Sequence, residues 1–139
     1  MDSWTIRTCL RPFSAFSTWV AASPAIYWED RAIDRFLETF ETAVPDGLSA
    51  QVILSAGEYE TKKLAPFQIG AADEQKRLAQ KKVTRTDEFA RAMAERLDTI
   101  AGLSASFELH ASENHMSILP VMVNRAVQAA FAVARGGGR

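Results

Sequence analysis

Gln51-Val52-Ile53-Leu54-Ser55-Ala56, closed by Gly57, is a continuous apolar run with no alternation. A strand that is apolar at successive positions has both faces covered, which is the habit of a central strand in a parallel sheet. Thr18-Trp19-Val20-Ala21-Ala22, stopped by Ser23-Pro24, has the same character upstream. Downstream, Ser104 to His110 alternates polar and apolar residues around Phe107 and Leu109 and predicts a third strand. Helical spacing fills the intervals. Ile33, Phe36, Leu37, Phe40 and Val44 share one face, with Asp30 as the expected N-cap and Pro45-Asp46-Gly47 as the stop. A second helical region is expected from about Asp73 to Ala101, with Phe89, Met93, Leu97 and Ile100 on one face and Gly102 beyond its end. Leu119 to Ala134 predicts a last helix, with Pro120 in its first turn and Val123, Val127, Ala130 and Phe131 as its apolar face. The order strand–helix–strand–helix–strand–helix predicts an α/β domain, three layers αβα, around about three parallel strands. So small a sheet leaves long apolar edges, and this predicts a partner segment or self-association into a homo-oligomer.

The bulk properties narrow the class. The 139 residues suit one domain, and Arg135 to Arg139, with three glycines, reads as a flexible tail. A net charge of -1 gives no field for nucleic acid or for a membrane surface. No apolar run approaches the roughly 18–20 residues of a membrane span, and the first residues lack the layout of a signal peptide, so a cytoplasmic protein is expected. A single cysteine, Cys9, excludes an internal disulfide, and no His/Cys spacing suits zinc; neither metal nor cofactor is expected.

Ligands of open α/β sheets bind beyond the carboxyl ends of the strands. Three segments emerge there: Ser23-Pro24-Ala25-Ile26-Tyr27-Trp28, Gly57-Glu58-Tyr59-Glu60 and Ser112-Glu113-Asn114-His115. An acid after one strand and a histidine after the next can meet across that edge. The carboxylate then holds the imidazole in one tautomer while the histidine serves as general base. His115 is the candidate base, and Glu58 and Glu60 are both candidates for the acid. Tyr27 and Trp28 could line an acyl or aryl pocket, and Ser23 is grouped with them. Ser23 makes a poor nucleophile, because it lacks flanking glycines and Pro24 offers no N–H to an oxyanion. His110 is expected to be an ordinary strand residue. The basic run Lys76-Arg77, Lys81-Lys82, Arg85 could draw an anionic substrate or partner; interspersed acids favour a solvated helix face instead.

These segments resemble the C-terminal half of α/β-hydrolases, in the esterase group related to esterase D and to the enterochelin (siderophore) esterases. Phe16 to Trp28 resembles the strand and aromatic turn that follow the nucleophile helix. Ile53 to Glu60 resembles the strand that delivers the acid, and Glu113-Asn114-His115 with Ser117-Ile118-Leu119-Pro120 resembles the catalytic-histidine turn. The resemblance covers roughly residues 10 to 133. It implies a partial α/β-hydrolase fold and hydrolysis of a small-molecule carboxylic or siderophore-type ester through a serine acyl-enzyme, with His115 moving the proton. One part is missing: no Gly-x-Ser-x-Gly elbow occurs in the sequence. The chain alone is therefore expected to be inactive. The alternative is a non-catalytic, self-associating or partner-binding α/β module.

Overall fold

A computed structural model describes residues 16–134, so Cys9 and the Arg135–Arg139 tail lie outside the described residues. The elements are β1 (Thr18–Ala22), α1 (Trp28–Glu41), β2 (Ala50–Gly57), α2 (Glu74–Thr84), α3 (Thr86–Asp98), β3 (Leu103–His110) and α4 (Ile118–Ala134). Short 3-10 turns at Glu58–Glu60 and Pro66–Gln68 lie within the long connection between β2 and α2. Among the described residues the sheet has three strands, all parallel, in the order β1-β2-β3. Trp19 pairs with Val52 across the first ladder, and Gly57 pairs with His110 at the end of the second.

The continuous apolar run of β2 has the expected cause. Val52 to Gly57 are all buried, because β2 is central and helices cover both of its faces. One face carries Val52, Leu54 and Ala21 against Ile33, Leu37 and Phe40 of α1 and Ala90, Met93, Ala94 and Leu97 of α3. The other carries Ile53, with Val20 and Ala22, against Ile118, Met122 and Ala129 of α4. Successive residues of β2 thus feed opposite core layers. At about 25 cal/mol per Å² of apolar surface, each fully buried Leu or Ile contributes roughly 2 kcal/mol.

Local detail departs from the sequence pattern at three places. Asp30 does not cap α1. Glu29, Asp30 and Arg31 have φ of 48°, 52° and 59°, a left-handed turn that precedes the regular helix. Such a conformation costs roughly 1–2 kcal/mol per non-glycine residue. Arg31 is held there by Asp34 at 2.6 Å and by the Phe89 ring, 4.7 Å from its guanidinium. Second, the helix expected from Asp73 to Ala101 is two helices, broken at Arg85, which has a φ of 40°. Arg85 is fixed outside the helix by Glu88 and by the same Phe89 ring, 4.8 Å from its centroid. Third, Val123, Val127 and Phe131 of α4 do not face the core. The buried side of α4 is Ile118, Met122 and Ala129, so this helix is apolar on two faces and the more obvious one is turned outward.

Candidate active site

The three strands end together, and each ends in a turn that bends toward the same groove. β1 runs into Ser23, whose φ of 48° turns the chain; its N–H donates to the Ser55 carbonyl at 2.8 Å. β2 runs through Gly57 into the Glu58–Glu60 turn. β3 runs into Ser112, where a φ of 61° swings the chain back over the sheet edge toward His115. Asn114 then opens the turn that leads into α4, its carbonyl accepting from the Ile118 N–H at 3.0 Å. Its Oδ1 accepts from the N–H groups of Met116 (2.9 Å) and Ser117 (3.2 Å), while Ser117 Oγ accepts from the Asn114 N–H at 2.9 Å. This is reciprocal N-capping, and it pins the backbone on both sides of His115.

The acid turn and the histidine turn are stitched to each other. Tyr59 N–H donates to the Glu113 carbonyl at 2.9 Å, and Ser112 N–H donates to Glu58 Oε2 at 2.8 Å. Gly57 is required by this approach. A Cβ there would stand 2.4 Å from the Glu113 carbonyl oxygen, inside any real contact.

The two candidate acids part company at this point. Glu60 Oε1 lies 3.0 Å from His115 Nδ1. Its other oxygen accepts from the Gly57 N–H at 2.8 Å and from the Ser23 hydroxyl. A carboxylate can only accept, so Nδ1 carries the proton and Nε2 is left with a lone pair. The Glu60 side chain is 9% exposed and the His115 ring 57% exposed, which places a fixed, desolvated acid behind an accessible imidazole. Glu58 does not reach His115. It pairs with Lys63 at 2.5 Å and with the Ser112 N–H, and these contacts, with Lys63 the larger, hold its carboxyl below the usual range.

The other candidates divide in a similar way. Ser23 is buried at 3% exposure, and its hydroxyl proton is given to Glu60, not to His115. Tyr27 lines the groove, whereas Trp28 is 56% exposed and stands outside it. His110 stays on β3, with Nε2 3.5 Å from Glu108, which itself grips Arg125 of α4. No hydroxyl lining the groove bonds to His115.

The groove holds about 460 Å³, with Tyr59, Phe67 and Met116 adding apolar walls around Glu60 and His115. Sequence reasoning did not select these three; Arg77 and Lys81, which also line it, were named within the basic run but assigned to a solvated helix face. Tyr59 was legible from its place between the two acids. The two cations were masked by the neighbouring charges of the same helix. Among the described residues no group of three or more His, Cys, Asp or Glu side chains is placed to hold a metal ion. No helix there is long and apolar enough to cross a membrane.

The carboxylate–histidine pair thus lies over the carboxyl ends of the strands, the edge at which open parallel α/β sheets bind their ligands. The comparisons with known proteins give it relatives. The chain is 28% identical over 131 residues to the ferri-bacillibactin esterase BesA of Bacillus subtilis, a match covering 92% of this chain and 39% of that protein. Its fold is that of two solved siderophore hydrolases of Aspergillus nidulans. EstA superposes with a TM-score of 0.83 at 18% identity, over 94% of this chain and 45% of that one. EstB superposes with a TM-score of 0.77 at 17% identity, over 91% and 44%. No protein-family model matches. The chain is thus similar in sequence to part of one esterase and in fold to part of two siderophore hydrolases, and it spans less than half the length of each of these proteins.

Proposed function

We propose that this chain supplies the acid and the base of a serine esterase site for carboxylic or siderophore-type esters, the serine being carried by another segment docked against it. The carrying observation is the 3.0 Å contact between Glu60 Oε1 and His115 Nδ1, which leaves Nε2 free to take a hydroxyl proton. His115 then withdraws the proton from the incoming serine as it attacks the ester carbonyl, and returns it to the departing alcohol. Glu60 keeps the ring in register and stabilises the imidazolium between the two steps. Ser23 and Gly57 act behind Glu60 by holding its second oxygen.

Two features support docking of a second segment. Among the described residues β1 is an edge strand of the sheet. On α4, Val123, Val127 and Phe131 form an exposed apolar stripe at i, i+4, i+8 spacing. These features also favour a second reading, in which the chain is a binding module without turnover. Hydrolysis of short-chain p-nitrophenyl esters separates the two. The test compares the chain alone with the chain assembled on the portion of the Bacillus relative that the match leaves uncovered. Turnover by the assembly that is lost in His115→Ala is the expected result. An assembled, folded complex without turnover, or with turnover indifferent to His115, sinks the esterase reading.

A further inference from the structure

We propose that Arg77 and Lys81 form an anion subsite on the wall of the groove, which selects esters bearing an anionic oxygen, a carboxylate or a phenolate, on an aryl or acyl part. This rests on the esterase reading and adds a substrate class to it.

Of the five cations in the basic run, the structure separates these two from the rest. Lys76 and Lys82 are exposed, and Arg85 is occupied by Glu88 and Phe89. Arg77 and Lys81 both line the groove. They stand one turn apart on α2, where like charges repel. Burial pushes the Lys81 ammonium below its ordinary range, against the pull of Glu60 and Asp87, and Arg77 adds a smaller push in the same direction as burial. Neither cation is matched by a free acid in the groove. Glu60 is the one acid of the lining, and it is taken up by His115, Gly57 and Ser23. Lys81 Nζ donates to a neutral acceptor, the Tyr59 carbonyl, and an ammonium has three protons to give. Arg77 reaches Asp73 through Nη2 at 2.7 Å, while its Nε is buried with no acceptor. A partly desolvated Lys81 with no acid bonded to it, and an Arg77 Nε–H buried without an acceptor, leave donors to spare on one wall of the groove, and an anion between them would accept from both. Tyr27, Tyr59 and Phe67 supply the apolar surface on which an aryl group would rest.

The test is equilibrium binding to the full chain, followed by amide NMR. Benzoate and 4-nitrophenolate distinguish a carboxylate from a phenolate, and benzamide is the neutral control. At least one anion is expected to bind about tenfold more tightly than benzamide, as charge-assisted hydrogen bonds require. Arg77→Gln and Lys81→Met should each reduce that preference severalfold, and the double variant should abolish it. Arg77→Gln makes the decisive single variant, because Lys81 also tethers the acid turn through the Tyr59 carbonyl. Equal binding of all three probes, no anion binding at millimolar concentration, or a preference that survives the double variant overturns the subsite. Its failure is separable from that of the esterase reading. Turnover without preference for anionic esters defeats the subsite alone, and anion binding without His115-dependent turnover defeats the esterase alone.

Discussion

Replacing Glu60 by Gln tests the relay at its most constrained atom. The amide has the same shape, and its oxygen can still accept from Gly57 N–H and Ser23 Oγ, the two groups held by the Oε2 atom. The amide nitrogen then faces His115 Nδ1, donor against donor, 3.0 Å apart in the present geometry. The contact is lost or the ring takes the other tautomer, so that Nε2 acquires the proton and ceases to be a base. A hydrogen bond to a charged group is worth about 1.5–3 kcal/mol, a factor of roughly ten to a hundred in the tautomer ratio. The ring is 57% exposed and water competes for it, so the lower end, about tenfold, applies. Long-range proton–nitrogen NMR of the imidazole reads the tautomer directly and needs no turnover. The wild type should show protonated Nδ1, and Glu60→Gln should lose that bias with a change in global stability below about 1 kcal/mol. Glu60→Ala is the contrasting variant. It leaves the Gly57 N–H without an acceptor and should cost about 1–3 kcal/mol in denaturant unfolding. An unchanged tautomer in Glu60→Gln refutes the orientation of His115 by Glu60.

Other consequences follow from the same geometry. Gly57→Ala must push the Glu113 carbonyl aside, so it should destabilise the chain by roughly 1–3 kcal/mol and disturb the His115 tautomer. Gly102→Ala places a Cβ 2.0 Å from the Leu48 carbonyl oxygen at a φ of +85°; it should destabilise at least as much in unfolding experiments yet leave the tautomer untouched. The carboxyl of Glu58 is depressed in the folded state by Lys63 and the Ser112 N–H, so its contribution is present above the unfolded value near 4.5 and disappears as pH falls through the lowered folded value. The stability difference between wild type and Glu58→Gln, followed by urea unfolding, should therefore be present at neutral pH and vanish on strong acidification. Val127→Glu, at a side chain 52% exposed on the outer stripe of α4, should alter the stability of the chain by no more than about 0.5 kcal/mol while weakening assembly with the complementing segment.

Much of this was readable from residues alone, for identifiable reasons. β2 lies in the middle of the sheet, and its unbroken apolar run encodes burial on both faces without reference to anything distant. The turns at Ser23, Glu58–Glu60 and Ser112–His115 were legible because strand ends in parallel sheets converge on one edge. The choice between Glu58 and Glu60 was not legible. Both lie in the same turn, and only the three-dimensional placement of Lys63 and Ser112 draws Glu58 away. Arg85 breaks a helix whose propensities run on through it, and its side-chain contacts with Glu88 and Phe89 are what the one-dimensional pattern omits. The same holds for α4. Its sequence is apolar around most of its circumference, so spacing alone could not say which stripe meets Ile53 and which stays outside. The basic run was legible as a run, but Arg77 and Lys81 could not be told apart from the cations of the same helix that do face solvent.

Labelling with a serine-directed fluorophosphonate tests the division of the site most directly. The probe is applied to the chain alone, to the assembly with the uncovered portion of the Bacillus relative, and to that assembly carrying His115→Ala. No serine of the chain alone should react, since the Ser23 hydroxyl is bound to Glu60 and buried. In the assembly the label should appear on a serine of the added segment and should be lost with His115. Labelling of Ser23 in the isolated chain would contradict the assignment of acid and base to this chain and nucleophile to another.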